Sequence, residues 1–331
     1  MMSGSPSARH PHRLGPEAEN LGAREVVVRP HSLHVAPFDV VVVGLGPAGA
    51  AALSQARRDG LNALGVGDEP VGGLVWAARR IENLPALGKI ASGAVLASRL
   101  WRHIEQCGAS VQRTRIERVE RTAGVFICAG AGGRMFCARA LILATGTRPS
   151  PWDIGLESDR IHRDARTLPR TLDRRSVMVV GGGEAALDSA LTAADRGARV
   201  RMLVRADRLK APAPLADQAR RARVRVTFGA RVISLDPGRA DLCIMAQSGR
   251  GRRVLRCHHL LVCIGREPRR ELALPLIPRL PNELPISGPL PGLFFAGDVR
   301  GRNMRFCAQA LADGQAAAIA ARTFLEEGSH G

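Results

Sequence analysis

Residues 40–49 read Val-Val-Val-Val-Gly-Leu-Gly-Pro-Ala-Gly, an apolar run that ends in a glycine turn, and a small-residue helix is predicted from Ala50 to Arg58. In such a strand–turn–helix, Gly44 permits the tight turn, Gly46 lets a pyrophosphate approach the backbone, and Gly49 allows close helix–strand packing. The pyrophosphate then lies against the amide groups at the start of the helix. This segment predicts a parallel α/β unit that binds a dinucleotide through Gly44, Gly46, Pro47, Ala48 and Gly49.

A second segment of the same type occupies residues 177–186, Val-Met-Val-Val-Gly-Gly-Gly-Glu-Ala-Ala, and a helix is predicted from Ala185 to Arg196. One glycine pattern is weak support for nucleotide binding, whereas two in full strand–turn–helix context are strong support. The residues expected to contact the second nucleotide are Gly181, Gly183, Glu184, Ala185 and Ala186. Two such sites in one chain indicate that electrons pass between two dinucleotides.

The composition is that of a globular protein with room for two domains, since the chain has 331 residues, of which 45% are hydrophobic. It has no apolar run of membrane-spanning length and no secretory stretch at its N-terminus, so we expect a cytoplasmic protein without membrane contact. The formal net charge of +18 comes almost entirely from scattered arginines, and aromatic residues make up 3% of the chain. That distribution argues against nucleic-acid binding and is compatible with electrostatic attraction of an acidic partner.

The cysteines and histidines do not form a recognisable metal or redox motif. Seven cysteines occur, and no two of them are spaced as Cys-x-x-Cys. Several lie in strand-like runs, as Cys263 does, which favours buried, reduced thiols. His258 and His259 have no further ligands nearby in sequence, so we expect no metal site.

Other segments are expected to complete the nucleotide sites. Asp68 or Glu69 follows the second predicted strand, 24 residues after Gly44, where an acid that binds the adenosine ribose is expected. A solvated turn would have the same sequence, so both interpretations stay open. The remaining segments pair small residues with a strand end or a turn: Gly72-Gly73, Ala144-Thr145-Gly146, Ile264-Gly265 and Gly297-Asp298.

The order of the segments predicts one dinucleotide-binding domain inserted into another, each a Rossmann-like, three-layer α/β unit. Residues 37–147 and 266–331 would form the first domain, and residues 148–265 the second. Residues 1–36 are rich in Pro, Ser, Gly and His and are predicted to be a disordered tail. The alternative for Glu25 to Val28 is an additional edge strand.

In this order the motifs resemble those of the flavin-dependent pyridine nucleotide–disulfide oxidoreductases, and most of all the low-molecular-weight thioredoxin reductases. The resemblance covers about residues 37–327. It rests on both glycine segments and on Gly72-Gly73-Leu74, Glu82-Asn83-Leu84-Pro85, Ala144-Thr145-Gly146, Ile264-Gly265-Arg266-Glu267-Pro268 and Ala296-Gly297-Asp298. It implies FAD in the first domain, NAD(P)H in the second, hydride transfer from the nicotinamide to the flavin, and a homodimer.

The resemblance also assigns individual residues. Asp298 would contact the ribityl–phosphate region of FAD, and Phe306 stands where many relatives carry a glutamine beside the isoalloxazine. Leu74, Asn83 and Cys307 would also lie at the flavin site. Trp76 has two interpretations, a position near the flavin or ordinary packing.

The second domain is predicted to prefer NADPH over NADH. Proteins that bind NAD usually place a carboxylate at the end of the second strand, which would repel a 2′-phosphate. Here that strand ends with Arg205, which matches an arginine of NADPH-dependent relatives, although Asp207 is close by.

One departure from the resemblance bears on the chemistry. Thioredoxin reductases carry a redox-active Cys-x-x-Cys shortly before the first strand of the second domain, and that position here is Ala165-Arg166-Thr167-Leu168. Thiol–disulfide exchange needs one thiol to attack and another to resolve the mixed disulfide, so the usual mechanism cannot run there. No catalytic residue is assigned.

Three functions are compatible with this sequence. The first is an FAD-dependent NAD(P)H oxidoreductase that reduces a protein carrier, such as an acidic ferredoxin or flavodoxin, or a small acceptor. The second is a biosynthetic flavoenzyme that acts directly on a small molecule, with Arg163, Asp164 and Arg166 shaping its pocket. The third is a non-catalytic flavin- or nucleotide-binding redox sensor.

Overall fold

The computed structural model describes residues 37–88, 91–154 and 158–328, so the predicted N-terminal tail lies outside the described residues. The strands are β1 Phe38–Val43, β2 Ala63–Gly67, β3 Ser110–Arg113, β4 Ile116–Thr122, β5 Val125–Gly130, β6 Arg134–Leu143, β7 Thr147–Pro149, β8 Ile161–His162, β9 Ser176–Val180, β10 Arg199–Leu203, β11 Arg225–Thr227, β12 Arg231–Pro237, β13 Leu242–Ser248, β14 Gly251–Cys257, β15 His259–Val262, β16 Arg266–Pro268 and β17 Leu293–Phe295. The α-helices are α1 Pro47–Arg58, α2 Gly93–Gln106, α3 Glu184–Asp195, α4 Ala213–Arg221 and α5 Cys307–Glu327.

The first sheet has β1 near its centre, in the order β3-β2-β1-β6-β5-β4. Residues 40–43 of β1 are buried, as expected for a parallel strand that is covered on both faces. Strand β6 pairs antiparallel with β5 over residues 134–138 and parallel with β17 over residues 141–143. Strand β17 therefore brings the C-terminal part of the chain into the sheet that the N-terminal part begins.

Helices α1 and α5 pack closely on one face of this sheet. A Cβ atom on Gly314 of α5 would lie 2.0 Å from the carbonyl oxygen of Ala48 in α1, so only a glycine permits this approach. The alanines of both helices leave little side-chain bulk between them, and Ala52 and Ala317 are fully buried. The small residues of α1 and α5 thus serve helix packing beside the first glycine turn (residues 44–49).

The second sheet is entirely parallel, in the order β11-β10-β9-β15-β8, and carries the second glycine turn (residues 181–186) after β9. Helix α3 follows that turn. Strands β12, β13 and β14 form a separate antiparallel sheet that packs on it through Leu242, Ile244 and Leu260. The predicted α/β class with two Rossmann-like units is confirmed.

The two chain segments that connect the units lie side by side. Strands β7 and β16 pair antiparallel, and the Ser150 amide donates to the Gly265 carbonyl oxygen at 3.1 Å. The proposed domain boundaries, at residues 147/148 and 265/266, fall within this two-stranded ribbon. No helix of the described ranges is long and apolar enough to cross a membrane.

Candidate functional site

The first glycine turn has closed space at its first and third glycines and open space at its second. A Cβ on Gly44, whose φ is +96°, would lie 2.4 Å from the Ala144 carbonyl oxygen, and one on Gly49 would lie 1.7 Å from the Gly44 carbonyl oxygen. No protein atom lies within 4 Å of the Cβ position of Gly46. This arrangement matches a turn whose backbone packs tightly on one side and accepts a pyrophosphate on the other. Pro47 and Ala48 form the first turn of α1 beside that open space.

Several of the predicted segments converge on this turn. The Gly72 amide donates to the Leu45 carbonyl oxygen at 2.7 Å, and a Cβ on Gly73 would lie 3.3 Å from the Gly46 Cα atom. A Cβ on Gly297 would lie 2.7 Å from the Ala48 Cβ atom. Four separate parts of the chain therefore meet at the carboxyl edge of the first sheet: the first glycine turn, Ala144, Gly72-Gly73 and Gly297.

Asp68 and Glu69 follow the carboxyl end of β2, as predicted, but their surroundings differ. The Glu69 carboxylate accepts a hydrogen bond from Arg166 at 3.0 Å. Asp68 is exposed, and no side-chain hydrogen bond or ion pair engages it within the described ranges. Asp68 therefore has the freer carboxylate for a ribose hydroxyl.

Asp298 lies in a short 3₁₀ helix, Gly297–Arg300, at the end of β17. Burial raises the pKa of its carboxyl group, while the positive charges of Arg305 and Arg266 oppose that rise. A half-buried carboxylate between arginines can accept hydrogen bonds from ligand hydroxyls. The local geometry suits the ribityl contact that the resemblance implies.

A buried ion pair that sequence reasoning missed holds this 3₁₀ helix in place. Arg300 and Asp313 are 5% and 3% exposed, and their side chains approach to 2.8 Å. Asp313 also accepts from the Gly297 amide at 3.3 Å, while Arg300 donates to the Leu284 carbonyl oxygen at 2.8 Å. The signal available in the sequence is Asp313, the one aspartate of the alanine-rich α5.

The second glycine turn has the same division between closed and open space. A Cβ on Gly181, whose φ is +135°, would lie 2.1 Å from the Cys263 carbonyl oxygen. The third position is Ala186, which is buried in α3, and no protein atom lies within 4 Å of the Cβ position of Gly183. Glu184 and Ala185 are exposed at the start of α3. This turn is also suited to a pyrophosphate.

Basic residues lie beside the second turn. Arg205 is exposed just after β10, as predicted, on the loop that leads to Lys210. The Lys210 amide donates to the Gly182 carbonyl oxygen at 2.7 Å, which pins this loop against the turn. Lys210 was not among the predicted site residues. It could have been identified because it lies, like Arg205, in the loop that follows β10. Ile264 and Gly265 are exposed after β15 on the same edge.

The segment at the expected dithiol position is a 3₁₀ helix, Ala165–Thr167, capped by the Asp164 carboxylate, which accepts from the Arg166 amide at 2.8 Å. The Arg166 guanidinium pairs with Asp164 at 2.8 Å and also donates to Glu69 and, at 3.4 Å, to the Gly73 carbonyl oxygen. Arg163 donates to the Ser150 carbonyl oxygen. This segment thus contacts the surroundings of the first glycine turn through an arginine.

Two thiols lie near these segments, and both are kept protonated by their surroundings. Burial raises the pKa of Cys263 to about 11. Burial also raises the pKa of Cys307, and the negative charge of Asp298 adds to this rise. Since the thiolate is the reactive form, neither site is built for thiol attack at neutral pH.

The other predicted residues occupy more peripheral positions. Asn83 is exposed in the loop before the 3₁₀ helix Pro85–Leu87, and Leu74 is half-buried behind Gly73. Phe306, with 46% of its surface exposed, precedes α5. The Trp76 indole donates to the Val71 carbonyl oxygen at 2.8 Å and is 38% exposed.

Arg79, which the sequence did not single out, joins the two units. Its amide donates to Asp188 of α3 at 2.9 Å, and its guanidinium pairs with Asp195 at 3.1 Å and donates to Gln218 of α4 at 3.0 Å. These contacts join the loop that follows the 3₁₀ helix Gly73–Ala77 to helices α3 and α4 of the second unit. They hold the units in one relative arrangement.

The sequence profile of a family described as "pyridine nucleotide-disulphide oxidoreductase" matches residues 38–314 of this chain. A "34.2 kDa protein in rubredoxin operon" from Clostridium pasteurianum is 26% identical over 301 residues, which is 87% of this chain and 97% of that protein. A "ferredoxin–NADP reductase" from Ignicoccus hospitalis is 28% identical over 240 residues, covering 70% of this chain and 77% of that one. Among solved structures, thioredoxin reductase from Lactococcus lactis superposes with a TM-score of 0.80 at 21% identity, covering 88% of this chain and 99% of that chain.

Proposed function

Because the chain belongs to the pyridine nucleotide-disulphide oxidoreductase family, we propose that it is an FAD-dependent NADPH oxidoreductase whose acceptor is reduced without an active-site disulfide. FAD would be held by the first glycine turn with Asp68, Gly72, Gly73, Gly297 and Asp298. NADPH would be held by the second turn with Arg205 and Lys210. When bound, FAD supplies the chemistry, because it accepts a hydride from NADPH and passes electrons on.

The observation that carries this proposal is the matched pair of glycine turns. In each turn, a carbonyl oxygen just after a neighbouring strand leaves no room for a Cβ atom on the first glycine. In each turn, a later glycine, Gly46 or Gly183, has no protein atom within 4 Å of its Cβ position. The protein's contribution is then to bind, orient and bring together the two nucleotides. No side chain has to donate or accept a proton in hydride transfer itself.

Three features support an acceptor reduced without a dithiol. The 3₁₀ helix Ala165–Thr167 carries an arginine where the family's thioredoxin reductases carry a cysteine pair. Its guanidinium is engaged by Asp164, Glu69 and the Gly73 carbonyl oxygen. The thiols of Cys263 and Cys307 have raised pKa values, which leaves them poor nucleophiles at neutral pH.

An acidic one-electron carrier protein is the acceptor that this chain fits best. The formal net charge of +18 would attract such a protein over long distances. Relatives named after a rubredoxin operon and as a ferredoxin–NADP reductase are similar to this chain over most of its length. A homodimer and a cytoplasmic location complete the proposal.

A flavoenzyme that acts directly on a small molecule is the second candidate. Its predicted pocket residues Arg163, Asp164 and Arg166 all make intramolecular contacts, which leaves fewer of their polar groups for a substrate. The engagement of these residues favours the carrier-dependent enzyme.

The test is anaerobic reduction of the purified, FAD-loaded protein by NADPH and by NADH, followed by turnover with ferredoxin, rubredoxin, flavodoxin, thioredoxin and small quinones. We expect the flavin absorbance to bleach with NADPH and turnover to require an acidic carrier. Thioredoxin reduction at a comparable rate would contradict the dithiol-free mechanism. Failure of NADPH to bleach the flavin would favour the sensor, and failure to bind FAD would refute the central proposal.

A further inference from the structure

A basic pocket lies at the end of the second sheet that is opposite to the second glycine turn. Strands β8, β15 and β9 are neighbours and parallel, and Arg160, Arg175 and His258–His259 stand at or just before their amino ends. The second glycine turn follows the carboxyl end of β9. These four basic residues therefore lie at the edge of the sheet that the nucleotide does not use.

The four side chains line one cavity of about 320 Å³, together with Pro169, Thr171, Leu172 and Ala240. That volume admits a phosphoryl or sulfate group with further atoms attached. Two acids lie beside the lining, since Asp241 is 3.6 Å from the His258 Nε2 atom and Asp159, with 93% of its side chain exposed, is 3.9 Å from the Arg160 Nε atom. The lining is thus basic without an equal number of carboxylates inside it.

Arg175 provides the free charge of the pocket. Its backbone amide and carbonyl are hydrogen bonded, whereas no partner of its guanidinium occurs among the described residues. Arg160 lines the same cavity, where its guanidinium donates to the Gly238 carbonyl oxygen at 3.1 Å and its Nε atom lies 3.9 Å from the Asp159 carboxylate. Two guanidinium groups facing one cavity are the arrangement with which proteins recognise oxyanions.

A chain of hydrogen bonds determines which nitrogen His259 presents to the pocket. Thr167 Oγ1 donates to the Asp164 carbonyl oxygen at 2.9 Å, so it accepts from His162 Nδ1 at 2.9 Å. His162 Nε2 then accepts from His259 Nδ1 at 3.0 Å. The Nε2 atom of His259 is therefore the one that remains to take up a proton.

His258 is held differently and does not take part in this chain. Its Nδ1 atom accepts from the Ser176 amide at 3.0 Å, which leaves the proton on Nε2, facing Asp241. Burial lowers the pKa of His259, and the charges of His258, Arg175 and Arg160 lower it further, while Asp159 opposes them. A bound dianion would reverse the sign of the local potential and favour the protonated ring.

We propose that this pocket is a second ligand site, which binds a small dianion such as a phosphoryl or sulfate group through Arg160, Arg175 and a protonated His259. The ligand would be free phosphate or the phosphate ester of a metabolite. Because binding takes up a proton at His259, affinity decreases as pH rises. The chain through His162 and Thr167 connects this site to the 3₁₀ helix Ala165–Thr167.

The experiment is a calorimetric titration of the protein with sulfate, which remains a dianion from pH 6 to pH 8, with FAD and NADP⁺ added so that both glycine turns are filled. We expect saturable binding that weakens from pH 6 to pH 8. Arg175→Gln should weaken it by about tenfold or more, because a charge-assisted bond is lost. The matched control is Arg102→Gln, which removes the same charge from an exposed residue on α2 of the first unit and should change the affinity less than about twofold.

Several results would overturn the proposal. Equal weakening in both arginine variants would mean general charge attraction, and absence of saturable binding would mean that there is no site. Wild-type affinity that does not depend on pH would refute the role of His259, whether or not the variants fold, and His259→Gln should remove the pH dependence. Replacing sulfate by phosphate and by phosphate monoesters then separates the two ligand sources. None of these readouts depends on turnover, so they remain informative if the proposed function fails.

Discussion

At the scale of single residues, the open glycines Gly46 and Gly183 allow the two proposed nucleotide sites to be tested independently. Both have negative φ, −67° and −85°, so alanine is tolerated there by the backbone, and no protein atom would touch the new Cβ. We expect Gly46→Ala to lower FAD content after purification, and Gly183→Ala to raise the KM for NADPH with normal flavin content. The thermal unfolding midpoints of both proteins, measured without nucleotide, should stay within about 2 °C of the wild type.

The control for this pair is Gly49→Ala, whose Cβ would lie 1.7 Å from a backbone oxygen. That variant should unfold at a much lower temperature or fail to accumulate. If Gly46→Ala lost stability to the same extent, the space beside Gly46 would not be a ligand site. If Gly183→Ala lost flavin, the assignment of the two turns would be reversed.

His162 makes stability depend on pH. Burial lowers its pKa from 6.5 to about 4, so the folded protein binds fewer protons than the unfolded chain between those values. The free energy of unfolding should therefore decrease as pH falls from about 6.5 to about 4, by as much as ~3 kcal/mol from this group alone. Urea unfolding of the wild type and of His162→Gln between pH 4.5 and 7.5 measures this loss of unfolding free energy. If the unfolding free energies of the two proteins depended on pH in the same way, His162 would not be the group responsible.

At the scale of elements, the Arg300–Asp313 pair determines how α5 holds the turn at Gly297. Asp313→Asn would leave the Arg300 charge buried without its partner, which costs about 3 to 5 kcal/mol. We expect a strongly lowered denaturation midpoint together with reduced FAD content. The comparison variant is Asp217→Asn, which removes an exposed ion pair with Arg220 on α4 and should cost less than about 1 kcal/mol. Similar losses in both variants would contradict the importance of burial.

The elements that carry a strong local pattern could be predicted from the sequence. Strand β1 and helix α1 follow from four valines, a glycine turn and a run of small residues, and β9 with α3 repeats that pattern. Helix α4 was not predicted, because its nine residues begin between two prolines, Pro212 and Pro214, and carry only one buried side chain, Ala219. Its place depends on packing against α3 rather than on its own sequence.

Long-range contacts account for what could not be predicted at the site. The roles of the closed and open glycines were expected from their spacing, although the carbonyl oxygens that close Gly44 and Gly181 belong to the distant residues Ala144 and Cys263. The bridge from Arg79 to Asp188 joins residues 109 positions apart, and the Arg166–Glu69 contact joins residues 97 apart. Arginine is so common in this chain that composition does not distinguish Arg79 from the rest. Arg166 was a candidate from its position, but only the folded arrangement identifies Glu69 as its partner.

At the scale of the whole molecule, net charge should control the rate of reaction with a carrier. A protein of charge +18 attracts an acidic carrier at low ionic strength, and salt screens that attraction. From about 20 to about 300 mM salt we expect kcat/KM for an acidic carrier to fall about tenfold or more. The same value for a small uncharged quinone should change less than about twofold, and equal changes for both acceptors would exclude steering by charge.

The interlaced layout of the chain also has a consequence for its synthesis. Strand β17 leaves the ribosome roughly 150 residues after β6, with which it pairs, and helix α5 leaves it roughly 250 residues after α1, on which it packs. At common elongation rates the delay for α5 lasts roughly 12 to 50 s, and during it the second sheet can fold completely while the first cannot. The alanine-rich face of α1 is uncovered throughout that interval. The nascent chain is therefore most exposed to aggregation, and most in need of a chaperone, before its last forty residues appear.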